Sequence, residues 1–172
     1  MELKLAKTAG FCFGVKRAMN IALEQKGEGI YTLGPLIHNT QAVNRLREQG
    51  IIPADNIDEI PCGSKVIIRT HGVGKDIYEQ LFDKQIEVID ATCPYVKKIH
   101  NIVSENYKKG YNIVIAGDEN HPEVMGINGW CDNSAVIIKN ECFNIDFESS
   151  KKYCFVAQTT FSLDIWNKIK KA

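Results

Sequence analysis

Short apolar runs that each give way to an amphipathic helix recur along this chain, and that alternation leaves few folds open. Residues 3–6 read as a strand, followed by a loop through Cys12 and a helix over 15–25 with apolar residues at Val15, Ala18, Met19 and Ala22. Residues 29–33 read as a second strand, and 39–49 as a helix stopped by Gly50, a usual terminator. The β-branched run 66–69, the helix 75–83 and the strand 87–89 follow. A long helix over 94–109 comes next, with Pro94 at its first position. The grammar then repeats: strand 112–116, helix 123–128, strands 135–138 and 153–157, and a final helix over 161–171. Strands alternating with helices predict an α/β fold with parallel sheets flanked by helices and right-handed crossovers. Two small domains, 1–95 and 96–172, suit 172 residues better than one wide sheet.

Composition removes several function classes. The chain carries 21 basic and 21 acidic side chains, so no global positive field favours nucleic acid. No apolar run is long enough for a membrane span, and the first residues lack a signal peptide's apolar stretch. A cytoplasmic location is therefore expected. Six cysteines in such a setting argue against a disulfide framework, and no C-x-x-C pair supports a zinc ribbon or a thioredoxin-like motif. No G-x-G-x-x-G follows a strand, which counts against a dinucleotide site, and no H-E-x-x-H supports a zinc hydrolase.

Ligands in open parallel sheets bind beyond the carboxyl ends of the strands. The polar residues expected there are Cys12, His38, His71, Cys93, His121 with Glu123, and Thr159 with Thr160. Thiolates suit zinc or iron–sulfur clusters, imidazoles suit a phosphate, and a single acid beside them suits proton delivery. Each residue also has a plainer reading. Cys12 and Cys93 are equally small core fillers, His38 an exposed loop residue, and His71 and His121 members of tight loops. Glu123 fits a first-turn glutamate, and Thr159 or Thr160 fits an N-cap of the last helix. Cys62, Cys131, Cys142 and Cys154 lack metal-ligand spacing, and His100 reads as a helix-surface residue.

Six motifs taken in order narrow this further. They are Gly10-Phe11-Cys12-Phe13-Gly14-Val15, Leu36-Ile37-His38-Asn39, Arg69-Thr70-His71-Gly72-Val73, Asp90-Ala91-Thr92-Cys93-Pro94, His121-Pro122-Glu123-Val124 and Gln158-Thr159-Thr160. Together they closely resemble the LytB family, the 4-hydroxy-3-methylbut-2-enyl diphosphate reductases. The resemblance implies a three-domain, trefoil-like arrangement around a [4Fe–4S] cluster held by one cysteine per domain. It implies that Cys12 and Cys93 are two of those ligands, and that His38, His71 and His121 surround the substrate diphosphate. It further implies that Glu123 relays a proton to the leaving hydroxyl and that Thr159 holds the same network. The implied reaction is a two-electron reductive dehydroxylation of an allylic diphosphate to isopentenyl and dimethylallyl diphosphate, the last step of the methylerythritol phosphate route. A ferredoxin or flavodoxin is the implied electron donor.

One departure accompanies the match. The family's third cysteine, in a Cys-x-x-Thr-x-x-Arg-Gln-like stretch, and its Ser-x-Asn pair do not occur in the 172 residues. The sequence therefore reads as the first two of three domains, inactive by itself. A non-catalytic metal- or phosphate-binding module that keeps the fold is the alternative.

Overall fold

The structure, a computed structural model, describes residues 2–171 except 5, 8, 26 and 144–146. Two parallel sheets organise it. The first has the strand order β2-β1-β3-β4, with β1 at Ile30–Leu33, β2 at Ile51–Ala54, β3 at Lys65–Ile68 and β4 at Glu87–Asp90. The second has the order β6-β5-β7, with β5 at Asn112–Ala116, β6 at Val136–Ile138 and β7 at Tyr153–Ala157. Every described pairing is parallel, as a strand–helix–strand grammar requires.

The helices are α1 (Phe13–Glu24), α2 (Thr40–Glu48), α3 (Lys75–Asp83), α4 (Pro94–Lys108), α5 (Pro122–Asn128) and α6 (Leu163–Ile169). Each sheet is covered on both faces, so its central strands are mostly apolar: Val66–Ile68 of β3 and Ile113–Ala116 of β5 are buried without a break. In β3, Ile67 packs with Ala18, Met19 and Ala22 of α1, whereas Val66 and Ile68 pack with Leu81 of α3. In β5, Ile113 and Ile115 meet Val103 of α4 and Val124 of α5, while Val114 and Ala116 meet Ile169 of α6. The two-residue period of the strand sends alternate side chains to opposite layers.

Local chemistry sets the helix ends. Asn39 caps α2 by accepting from the Ala42 N–H at 2.9 Å, and Gly50 ends it at φ +84°. The last helix is capped by Ser162, whose Oγ accepts from the Ile165 N–H. Thr159 and Thr160 are thus not its caps, and the helix is shorter than the 161–171 span expected.

Three further differences have physical causes. Of the strand expected over 3–6, Leu5 lies outside the described residues, and Leu3, Lys4 and Ala6 join no sheet. Leu3 is 86% exposed; so short an alternation buries too little to hold a sheet edge. Strand β2 carries no strand signal in the sequence, because it is four residues long and contains Pro53. It is an edge strand, where a missing N–H is tolerated. His100 is not a surface residue: it is 3% exposed, because the face of α4 that carries it turns toward Trp130.

Candidate functional site

Both chemistry-bearing cysteines stand immediately before a helix. Cys12 is the N-cap of α1 and Cys93 the N-cap of α4, and neither thiol caps its own helix. A helix N-terminus presents unpaired N–H groups and favours negative charge, which suits an anionic sulfur ligand. The two cysteines belong to one corner. A methyl group at Gly14 would come within 2.7 Å of the Cys93 Sγ, so glycine leaves the thiol its space.

Arg17 ties the corner together, donating from α1 to the Thr92 carbonyl at 3.1 Å and to the Asp90 carbonyl at 3.5 Å. The Asp90 carboxylate accepts from the Thr92 N–H at 2.9 Å and from Lys97 Nζ at 2.6 Å. Partial burial raises its pKa, but the Lys97 and Thr92 hydrogen bonds outweigh that and hold it below the usual carboxylate value. Sequence reasoning missed Arg17, since a lone arginine on a helix carries no signal of what it reaches.

The three loop histidines form a second cluster. The His38 and His71 rings have centroids 4.9 Å apart, and His71 meets His121 edge-on at 5.3 Å. Three loops separated by 33 and 50 residues thereby place imidazoles side by side. Burial depresses the His71 pKa to about 4, helped by the charge of Arg69 and by His38 and His121. His71 Nδ1 is buried and has no hydrogen-bond partner. In His121, Nδ1 accepts from the Glu123 N–H at 3.1 Å, which leaves the proton on Nε2.

Glu123 is buried, 2% exposed, near the start of α5. Its carboxylate takes both donors of one residue on the loop after β7. The Thr159 N–H reaches Oε1 at 2.6 Å and the Thr159 hydroxyl reaches Oε2 at 2.8 Å. A first-turn glutamate serving only the helix dipole would point into solvent; this one is aimed inward at a hydroxyl. Gln158 braces the same loop, accepting from the Asp118 N–H at 3.2 Å and donating to Thr160 Oγ1 at 2.8 Å.

The other cysteines stay apart. Cys62 and Cys142 are exposed, Cys154 is half-buried in β7, and Cys131 is buried with its thiol on the Asn128 carbonyl. Among the described residues, no three His, Cys, Asp or Glu side chains come together as a metal site. The thiols of Cys12 and Cys93 suit an iron–sulfur cluster in kind, but as described they furnish only two of its ligands. A cavity of about 510 Å³ opens elsewhere, along Arg69, Val73, Asp76 and Met125, and touches neither cysteine nor the three clustered histidines. No helix among the described residues is long and apolar enough to cross a membrane.

Known proteins share this fold. The chain is 53% identical over 171 residues to a 4-hydroxy-3-methylbut-2-enyl diphosphate reductase of Clostridioides difficile, covering 96% of this chain and 61% of that protein. A reductase of the same name from Caldanaerobacter subterraneus is 50% identical, with 98% of this chain and 61% of that protein covered. This chain thus spans about three fifths of the length of these relatives. Among solved structures, the E-1-hydroxy-2-methyl-but-2-enyl-4-diphosphate reductase of Plasmodium falciparum superposes with a TM-score of 0.87 at 32% identity. That match covers 96% of this chain and 54% of the other. A structure of (E)-4-hydroxy-3-methyl-but-2-enyl diphosphate reductase, described as the terminal enzyme of the non-mevalonate pathway, gives 0.78 at 39% identity, over 95% of this chain and 60% of that one. The family profile described as LytB protein matches residues 3–172, and the chain belongs to the LytB family.

Proposed function

We propose that this chain provides two of the three domains, 1–95 and 96–172, of a 4-hydroxy-3-methylbut-2-enyl diphosphate reductase. One observation carries the reading: a buried carboxylate held by a threonine begins the same short helix whose cap, His121, completes a cluster of three imidazoles. That is the equipment needed to bind a diphosphate and protonate a leaving group.

His38, His71 and His121 bind the diphosphate. The charge of a phosphate opposes the forces that keep His71 neutral. Thr159 orients the substrate hydroxyl, and Glu123 supplies the proton. A hydroxyl both donates and accepts, so Thr159 serves Glu123 in either protonation state: it donates to the carboxylate and accepts from the acid. Protonation turns a poor leaving group into water. Cys12 and Cys93 hold two corners of a [4Fe–4S] cluster, with the remaining ligand drawn from outside the described residues. When bound, the cluster supplies electrons and a Lewis-acidic iron. A ferredoxin or flavodoxin is the electron donor in this reading, and the 172 residues alone are inactive.

The test is anaerobic reconstitution of the complete gene product with iron and sulfide, then assay on the allylic diphosphate. Cys12→Ser and Glu123→Gln should each lower turnover by about 100-fold or more. Full turnover in both variants would sink the assignment. A second reading, a phosphate- or metal-binding module without turnover, is favoured by the pairing of only two thiols among the described residues. Cluster loading without product formation in the complete wild-type protein would support it.

A further inference from the structure

The segment 70–74, which carries His71, is gripped from two sides. On one side the Cys93 N–H donates to the Thr70 carbonyl at 2.9 Å. On the same side His100, one helical face along α4 from Cys93, packs its ring edge against Gly72. A methyl at Gly72 would run into His100 Cε1, and Gly72 holds φ +69°, a left-handed value that glycine adopts without penalty. On the other side α5 presses its backbone onto the segment. A methyl at Gly126 would sit 3.3 Å from the Gly72 carbonyl oxygen and 3.4 Å from that of His71. Trp130, in the short turn after α5, donates its indole N–H to the Val73 carbonyl at 3.0 Å. The two grips are themselves joined, because the His100 and Trp130 rings stack at 5.5 Å with 27° between their planes.

We propose that Trp130 and His100 are positioning residues for His71: their stack clamps segment 70–74 between the helix that follows Cys93 and the helix that begins beside Glu123. Neither side chain belongs to the imidazole cluster, and neither touches Glu123. Their effect on chemistry passes through the backbone on either side of His71. Burying His100 with Nε2 unpartnered costs free energy that an ordinary core residue would not. That cost marks the site as one where placement outweighs stability. The clamp also links the helix of the cysteine corner to the turn that follows the acid's helix, alongside the packing of Val103 with Val124 and Ile127.

The inference rests on His71 binding the substrate diphosphate, as proposed above, and its test separates the two ideas. Trp130→Phe keeps an aromatic ring in the stack but removes the bond to Val73; His100→Ala removes the stack. In the complete gene product, hydrogen exchange in peptides covering 69–74 should speed up about fivefold in Trp130→Phe, as loss of one hydrogen bond implies, while β5 stays within twofold of wild type. The KM for the allylic diphosphate should rise by a similar factor with kcat within about twofold. His100→Ala should move both in the same direction and further, and Trp130→Phe decides the matter where His100→Ala fails to fold. Unchanged exchange at 69–74 overturns the proposal. So does equal acceleration in β5, which would mean a general loss of stability, or a fall in kcat with KM unmoved. A wild-type protein without turnover would overturn the functional reading instead, and the exchange comparison would still decide whether the clamp exists.

Discussion

Glu123 and Thr159, 36 positions apart, are joined twice: the threonine's N–H and its hydroxyl each bind a different oxygen of the same buried carboxylate. The contact ties the start of α5 to the loop after β7 at the carboxyl edge of the second sheet. It fixes the carboxylate in two directions and, among the described residues, leaves a hydroxyl as its only side-chain partner.

Replacing Thr159 with valine keeps the shape and the backbone bond but leaves Glu123 Oε2 unpaired. The variant should lose about 1–3 kcal/mol of stability in urea titrations, the cost of one unsatisfied buried acceptor. Turnover in the complete protein should fall by about 100-fold or more, whereas Thr159→Ser should recover most of both.

Gly14→Ala separates folding from cofactor binding. Gly14 is the second residue of α1 and has no positive φ, so its backbone accepts alanine without strain. The added methyl also meets the Cys93 Sγ at 2.7 Å. The expected outcome is a folded protein with less iron and sulfide per chain after reconstitution than wild type. Equal loading would show that the thiol moves aside freely.

Gly72→Ala should be costly for two reasons. The position has φ +69°, and the methyl would strike His100 and approach Thr92 Cγ2 at 3.0 Å. Strain and overpacking together predict a loss of about 2–4 kcal/mol, read from the denaturation midpoint. Gly110→Ala serves as the comparison: it also has positive φ but meets nothing within 4 Å, so only the backbone penalty applies.

Two histidines make the fold sensitive to acid. His71 and His100 are each depressed to about 4, His71 by burial, Arg69, His38 and His121, and His100 by burial and Lys97 against the opposing pull of Asp90. Their ordinary value is 6.5. Between those values the unfolded chain binds protons that the native one refuses, so unfolding becomes easier as pH falls. The stability they confer is complete above the unfolded value and is lost as pH drops through 6.5 toward 4. Urea midpoints should fall across that window, and the double variant His71→Asn, His100→Gln should flatten the slope.

Much of the scaffold was legible because its signals are local. The helix over 75–83 and the strands over 112–116 and 153–157 have the expected bounds, each carrying an unbroken apolar period closed by polar or glycine residues. Strand β2 was not legible, since four residues with a central proline show no period and gain their place by pairing with β1 and burying Ile51 and Ala54. His100 was misjudged for a related reason. A single histidine on an amphipathic helix looks exposed until a second element, here the turn bearing Trp130, covers it.

The sequence by itself determined the alternation of strand and helix, and hence the parallel sheets, the strand-end loops and the residue types placed on them. Those follow from backbone periodicity and capping, which act over a few residues. Only the tertiary structure decided which loops meet. The approach of Cys93 to Gly14, the reach of Arg17 across the cysteine corner, the edge contact of His71 with His121 and the two hydrogen bonds from Thr159 to Glu123 all span long stretches of chain. Their geometry depends on how buried surfaces fit together, and no periodicity encodes it.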